Sequence, residues 1–182
     1  MKFCSNCGSS LVVTIPPGDN RPRFVCEACG TIHYQNPKLV VGCLAEWQGR
    51  ILLCRRAIEP RQGFWTLPAG FMENGETTEQ AALRETAEEA LAVAEGLVPF
   101  ALVNVPHVDQ VHLMFRGQMR DGRHGAGTES LETALLDERD IPWGEIAFPS
   151  VRYTLERFLE DRHRGAFGFH STTWDKSLQG QK

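Results

Sequence analysis

The chain has 182 residues, of which 42% are hydrophobic and 23% charged, and its formal net charge is -4. That length holds one ordinary core with a small module attached, and the weakly acidic balance gives no electrostatic footprint for wrapping a polyanion, so nucleic acid is not the expected partner. No apolar run reaches the roughly 18 residues that a membrane helix needs, and no basic segment followed by an apolar one opens the chain. No membrane partner is therefore expected, and the protein is read as soluble and cytoplasmic.

The six cysteines are of two kinds. Cys4 with Cys7, and Cys26 with Cys29, form two CxxC pairs, each followed by glycine (Gly8, Gly30), which lets the backbone bend so that the thiolates converge. Four such sulfurs close a tetrahedron around zinc at about 2.3 Å each, a structural site with no open position. Two disulfides would suit a secreted fragment, which the missing leader pattern argues against. Residues 1–36 carry few helix signals and contain the Pro16-Pro17-Gly18-Asp19-Asn20 turn between short strand-like runs, as expected of a zinc ribbon in which metal replaces a core. Only Lys2, Arg21 and Arg23 face Asp19 and Glu27 in this lobe, too little positive charge for simple phosphate binding.

From Lys38 the pattern changes. Two β-rich runs flank Gln48-Gly49 and predict a hairpin, with Cys43 and Cys54 as small buried hydrophobes inside them. Further strands are expected over Leu97 to Val105, Gln110 to Met119 and Leu131 to Leu136. Helices are expected from about Thr77 to Ala90 and from Ser150 to Arg164, the latter with Val151, Leu155, Phe158 and Leu159 at helical spacing and Gly165 as its stop. The domain reading is 1–36 ribbon, 37–165 main domain and 166–182 tail.

At 100° per residue, Leu83, Thr86, Ala87, Ala90 and Leu91 of the first helix share one arc, while Glu85, Glu88 and Glu89 lie opposite. The helix is expected to pack with the first arc and to present three carboxylates to solvent with the second. Thr77 and Gln80 fit a capping box that fixes the helix start. Clustered carboxylates repel unless a cation sits among them, although an acidic face alone fits a solvated surface equally well.

The segment before the helix narrows the choice. Gly70, then five residues, Glu76, then seven residues and Arg84-Glu85-Thr-Ala-Glu88-Glu89 resembles the Nudix box, and Trp65-Thr-Leu-Pro-Ala-Gly70 is similar to that family's usual lead-in. Two positions depart: Thr86 replaces an aliphatic residue, and Leu91 stands where the family has a helix-ending glycine. Forcing leucine into a left-handed conformation costs about 1 kcal/mol, which predicts a shifted helix end. A ribbon joined through residues 33–38 to such a box resembles the branch that includes plant FAD pyrophosphatases and bacterial ADP-ribose pyrophosphatase-like proteins.

The resemblance implies an α/β fold, an α/β/α sandwich around a mixed sheet with the ribbon as a separate lobe. It implies hydrolysis of a pyrophosphate in a small nucleotide conjugate, FAD or ADP-ribose first. NADH is a weaker alternative because the NADH-type Ser-Gln-Pro-Trp signature is missing after the box, and a non-catalytic nucleotide-binding regulator is another. Catalytic Mg2+ or Mn2+ would be held by Glu85, Glu89, the Gly70 carbonyl and Glu88, alongside structural Zn2+ on the cysteines. Arg84 would orient the carboxylates, Glu73 and Glu76 would support them, and the general base would be a box glutamate or a later one, Glu132 or Glu129. Tyr34, Phe64 and Trp65 could stack on a base or flavin but fit core positions better, and His107 and His112 read as ordinary polar residues. A homodimer is expected.

Overall fold

The structure, a computed structural model, describes residues 1–175. It divides into two compact units, Met1–Pro37 and a second that begins at Lys38.

The first unit is an antiparallel sheet of three short strands, β1 (Val12–Thr14), β2 (Arg23–Val25) and β3 (Ile32–His33), in that spatial order. Its only buried residues are Cys4, Pro16 and Cys26, so there is no apolar core to hold it. A fold this small and this open needs a crosslink or a metal.

The second unit is built on a hairpin that splays apart. Strands β4 (Lys38–Trp47) and β5 (Arg50–Arg56) meet at Gln48-Gly49, both with positive φ, and pair only next to the turn, Glu46 with Ile51 and Trp47 with Arg50. Beyond that the two strands diverge. Two short strands absent from the sequence reading fill the opening: β6 (Trp65–Thr66) pairs with β5, and β7 (Ala69–Phe71) pairs with β4. Gly42 of β4 is required there, because a Cβ would lie 2.5 Å from the Ala69 Cβ and 2.8 Å from the Pro68 carbonyl oxygen.

On its other edge β4 runs parallel to β9 (Gln110–Met119), which pairs antiparallel with β8 (Ala94–Val105), while β10 (Ser130–Leu136) closes the far side against β5. The sheet is mixed, and its strands are buried on both faces, as a sandwiched sheet requires. Val41, Cys43, Ala45, Leu52 and Cys54 face helix α1 (Thr78–Ala90), whereas Leu44, Ile51, Leu53 and Met114 face Val151, Leu155 and Phe158 of helix α2 (Pro149–Arg164). Cys43 and Cys54 are core residues as expected, and burial pushes both thiols up to about 12.

Three expectations need correction. The segment after Gly165 is not a tail throughout: residues 170–173 form β11 (His170–Thr173), which pairs in parallel with β8, His170 with Ala101 through Thr173 with Asn104. Buried Asp161 fastens this return, accepting from His170 Nε2 at 2.7 Å, from the Gly168 N–H at 2.9 Å and from Arg164. The rest of the expected tail, 176–182, lies outside the described residues. Second, the buried arc of α1 is Ala81, Ala82, Glu85, Thr86, Glu89 and Ala90, so the helix turns two of its glutamates toward the sheet, while Ala87 and Leu91 are exposed. Third, the end of α1 is not shifted: the helix runs to Ala90 with Leu91 as its cap. Leu91 takes up the left-handed conformation at φ 47° and ψ 32°, and its N–H donates to Ala87 O at 3.1 Å.

Candidate metal centres and active site

In the ribbon, the four cysteine sulfurs lie within 4.8 Å of one another, the only such convergence of three or more His, Cys, Asp or Glu donors among the described residues. The Cys4–Cys29 and Cys7–Cys26 sulfur distances are 3.7 and 3.4 Å. A zinc tetrahedron with about 2.3 Å bonds has edges of about 3.8 Å, so the donor set fits zinc. Neighbouring donors favour thiolate at Cys29, whereas at Cys26 the Cys29 N–H is outweighed by burial and the Cys7 and Cys29 sulfurs, which push that thiol up to about 11. The Thr31 hydroxyl lies 3.1 Å from Cys29 Sγ and, with the Thr31 N–H, brings that thiol down to about 5. The Asn6 N–H donates to Cys4 Sγ at 3.4 Å. His33 Nε2, which the spacing of the cysteines did not single out, lies 3.3 Å from Cys4 Sγ.

The second site is assembled at the start of β7. Thr77 caps α1 through its side chain, accepting from the Gln80 N–H at 3.1 Å, while Gln80 Oε1 accepts from the Thr77 N–H at 2.8 Å. The apolar contribution of α1 to its interface is mainly Ala81, Ala82 and Ala90. At about 0.8 kcal/mol per buried methyl-sized group this comes to a few kcal/mol, so polar ties must help fix the helix. Small side chains also let the helix axis come close, which brings Glu85 and Glu89 onto the backbone of β7.

The contact is tight. A Cβ on Gly70 would lie 2.3 Å from Glu85 Oε1 and 2.5 Å from Oε2, so the carboxylate occupies the space a side chain would need. The Ala69 N–H donates to Glu89 Oε2 at 3.0 Å. Burial raises the Glu89 carboxyl to about 7: the Ala69 N–H and Arg56 oppose the rise, while the charges of Glu85 and Glu129 add to it. Glu85 is also raised, first by burial and against the pull of Arg84, with Glu88 and Glu129 adding. No ion pair reaches Glu89 among the described residues.

Arg84 organises the remaining carboxylates. It grips Glu76 with two bonds, Nε to Oε2 at 3.0 Å and a terminal nitrogen to Oε1 at 2.8 Å. It also donates to Glu85 Oε1 at 2.6 Å, to Glu88 Oε2 at 3.1 Å and to the Phe71 carbonyl at 3.2 Å. A bidentate fork of this kind fixes orientation as well as charge. It holds Glu76 down at about 2, and Glu76 Oε1 in turn accepts from the Glu73 N–H at 2.6 Å. Glu88 remains exposed and leans on Arg84.

The two later glutamates separate. Glu129 acts electrostatically on both Glu85 and Glu89, whereas Glu132 pairs with Arg55 at 2.9 Å on the outer strands. Arg56, which the sequence reading did not single out, is the cation acting on Glu89, and its guanidinium lies 5.1 Å from the centre of the Phe148 ring. The signal available for it was its place at the end of a buried strand, where a charged residue reaches the rim. Of the aromatics, Tyr34 is 62% exposed on the ribbon beneath Arg23, Phe64 lies under Arg61, and Trp65 packs on the α2-side core. His112 is half-buried between Ser150 Oγ at 2.8 Å and Gln110 Oε1 at 2.9 Å, and burial takes it down to about 4.

The glycine strand β7 with its arginine-linked glutamate helix in one unit, and the four-cysteine ribbon in the other, are matched by two family models. The Nudix N-terminal zinc-ribbon model covers residues 2–35 and the NUDIX domain model covers residues 36–138. The chain belongs to the Nudix family and carries that family's zinc-ribbon domain. A crystal structure of a NUDIX hydrolase from Nitrosomonas europaea superimposes with a TM-score of 0.90 at 49% identity, over 96% of this chain and 100% of that one.

Among curated relatives, the ADP-ribose pyrophosphatase of Methanocaldococcus jannaschii is 32% identical over 63% of this chain and 69% of its own length. The NAD-capped RNA hydrolase NudC of Photobacterium profundum is 29% identical over 88% of this chain. The chain spans 60% of that NudC's length. No helix among the described residues is long and apolar enough to cross a membrane.

Proposed function

We propose that the protein hydrolyses the pyrophosphate linkage of a small nucleotide conjugate, with ADP-ribose and FAD as the leading substrates, and that Glu85 and Glu89 with the Gly70 carbonyl, assisted by Glu88, hold Mg2+ or Mn2+. The observation that carries this reading is the pair of buried carboxylates set against the Gly70-Ala69 backbone, one of them, Glu89, without an ion-pair partner among the described residues. Hard oxygen donors with uncompensated negative charge suit a hard dication. When bound, such an ion screens pyrophosphate charge and acidifies water.

The chain's own groups supply the rest. Arg84 keeps Glu76, Glu85 and Glu88 in register. Glu129 is the base we favour over Glu132, because its charge bears on the site while Glu132 is engaged by Arg55. A water oxygen bonds to phosphorus, the bridging P–O bond breaks, the proton goes to the Glu129 carboxylate, and AMP and the second phosphate ester leave.

NAD(H) is a second reading, favoured by the NudC similarity, which extends over 88% of the chain. The test is AMP release from ADP-ribose, FAD and NADH, and NMN release from an NAD-capped RNA oligonucleotide, with Mg2+. No release from any of them would leave a nucleotide-binding regulator as the better reading. We further propose a cytoplasmic homodimer, supported by exposed Phe3, Val13 and Ile15 on the ribbon, and a monomer mass by light scattering at micromolar concentration would count against the dimer.

A further inference from the structure

The last turn of a helix leaves carbonyls without intrahelical partners, and they need donors from elsewhere. α1 has no basic residue in its last turn. Its terminal carbonyls are instead met by the glycine-rich segment between β9 and β10: the Gly125 N–H donates to Ala90 O at 2.8 Å and the Gly127 N–H to Glu89 O at 3.1 Å. At Gly127 the approach is closest, since a Cβ would fall 1.7 Å from the Glu88 carbonyl oxygen, a backbone atom that cannot swing aside. At Gly125, by contrast, a Cβ would meet only the Leu91 side chain, its Cδ1 at 3.4 Å and its Cβ at 3.9 Å.

Two residues beyond Gly127 stands Glu129. Its carbonyl accepts from the Ala57 N–H at 2.8 Å, and the Ser130 N–H closes back onto Gly127 O at 3.1 Å. The segment is thus pinned at one end to the residues that carry Glu88 and Glu89 and at the other to the end of β5.

We propose that Gly127 is a positioning residue for the reaction: by docking its bare backbone on the Glu88 and Glu89 peptide units, it makes Glu129 part of one rigid unit with the glutamates of α1. This rests on the proposed role of Glu129, and the position of a base matters because a misplacement of about 1 Å can cost about a hundredfold in rate.

The experiment compares Gly127→Ala, Gly125→Ala, Glu129→Gln and the double variant Gly127→Ala/Glu129→Gln for AMP release from ADP-ribose with Mg2+. Amide hydrogen exchange is followed by NMR in the metal-free protein. Gly127→Ala should lower kcat about 30-fold or more with KM within threefold, remove exchange protection at residues 127–130 and leave the first turns of α1 protected. Gly125→Ala should keep wild-type kcat.

The double variant should be no slower than Glu129→Gln alone, since the position of a base that is gone no longer matters. Multiplying losses, or wild-type kcat in Gly127→Ala, would overturn the proposal. If Gly127→Ala does not fold, inserting one glycine after Gly127 shifts Glu129 without the clash and should match Glu129→Gln, and wild-type turnover there would equally overturn it. Wild-type turnover in Glu129→Gln would instead remove Glu129 as the base, while the exchange data still report whether Gly127 fastens the segment.

Discussion

The Ala69 N–H points at Glu89 Oε2 across 3.0 Å, so a backbone group of β7, from a strand pair wedged into a splayed hairpin, holds a carboxylate that α1 delivers from the opposite side. The next residue, Gly70, makes room for Glu85 in the same way. Strand and helix therefore define the site together.

Gly70→Ala should be among the most damaging single-atom additions to the chain. The new Cβ would overlap the Glu85 carboxylate, which must turn away from the site. We expect kcat on ADP-ribose to fall about 100-fold or more, with a weakened Mg2+ requirement curve. Wild-type turnover in this variant would refute the assigned position of Glu85.

Glu89→Gln should abolish most turnover, by about 100- to 1000-fold, whereas Glu79→Gln, at an exposed first-turn position, should be silent. Burial of Glu89 also makes stability depend on pH. Its folded value of about 7 lies above the ordinary 4.5, so its contribution is fully present below pH 4.5 and is lost as pH rises through 7. That loss is about 3 kcal/mol above pH 8. In the metal-free protein, the melting temperature of Glu89→Gln relative to wild type should rise by about 5–10 °C between pH 5 and pH 8.5. A difference independent of pH would show that Glu89 is not buried as a charge.

Magnesium should oppose this trend in wild type. The dication needs the carboxylate form, so its apparent affinity should weaken about tenfold per pH unit below 7 and level off above it. Isothermal titration at pH 6, 7 and 8 measures this, and a flat profile would exclude a proton at Glu89 as the competitor.

Zinc should be present at one atom per chain and be lost in Cys26→Ser, with the ribbon unfolding because it has no apolar core to fall back on. Elemental analysis decides, and a stoichiometry near zero in wild type would count against the four-cysteine site.

Leu91→Gly should stabilise the protein by about 1 kcal/mol, since leucine occupies a left-handed conformation and is 60% exposed, so little packing is lost. Thermal melting should show an increase of about 2–4 °C with unchanged kcat. A lower melting temperature would mean that the Leu91 contact near Gly125 matters more than the backbone conformation.

Much of this was legible before the structure. The CxxC spacing, the capping residues Thr77 and Gln80, the Gln48-Gly49 turn and the Gly165 stop each carry a local chemical signal, and the elements they delimit appear where expected. The arc of α1 was misread because alanines weigh little in a periodicity argument, and the close approach that Ala81 and Ala82 permit is what buries Glu85 and Glu89. β6 and β7 were missed because two- and three-residue strands leave no alternation to detect. Gly127 and Arg56 depend on contacts between distant parts of the chain, to which no local pattern points.

The return of the chain through β11 sets where the protein can be cut. Ending it at Gly165, where the helical pattern stops, would strip β8 of its parallel neighbour from Ala101 to Asn104 and leave Asp161 buried without His170 or the Gly168 N–H. An exposed β edge beside a buried carboxylate left with Arg164 alone invites strand-to-strand association between copies. Fragments for expression should therefore reach at least Asp175, and a product ending at Gly165 should be recovered mainly in the insoluble fraction.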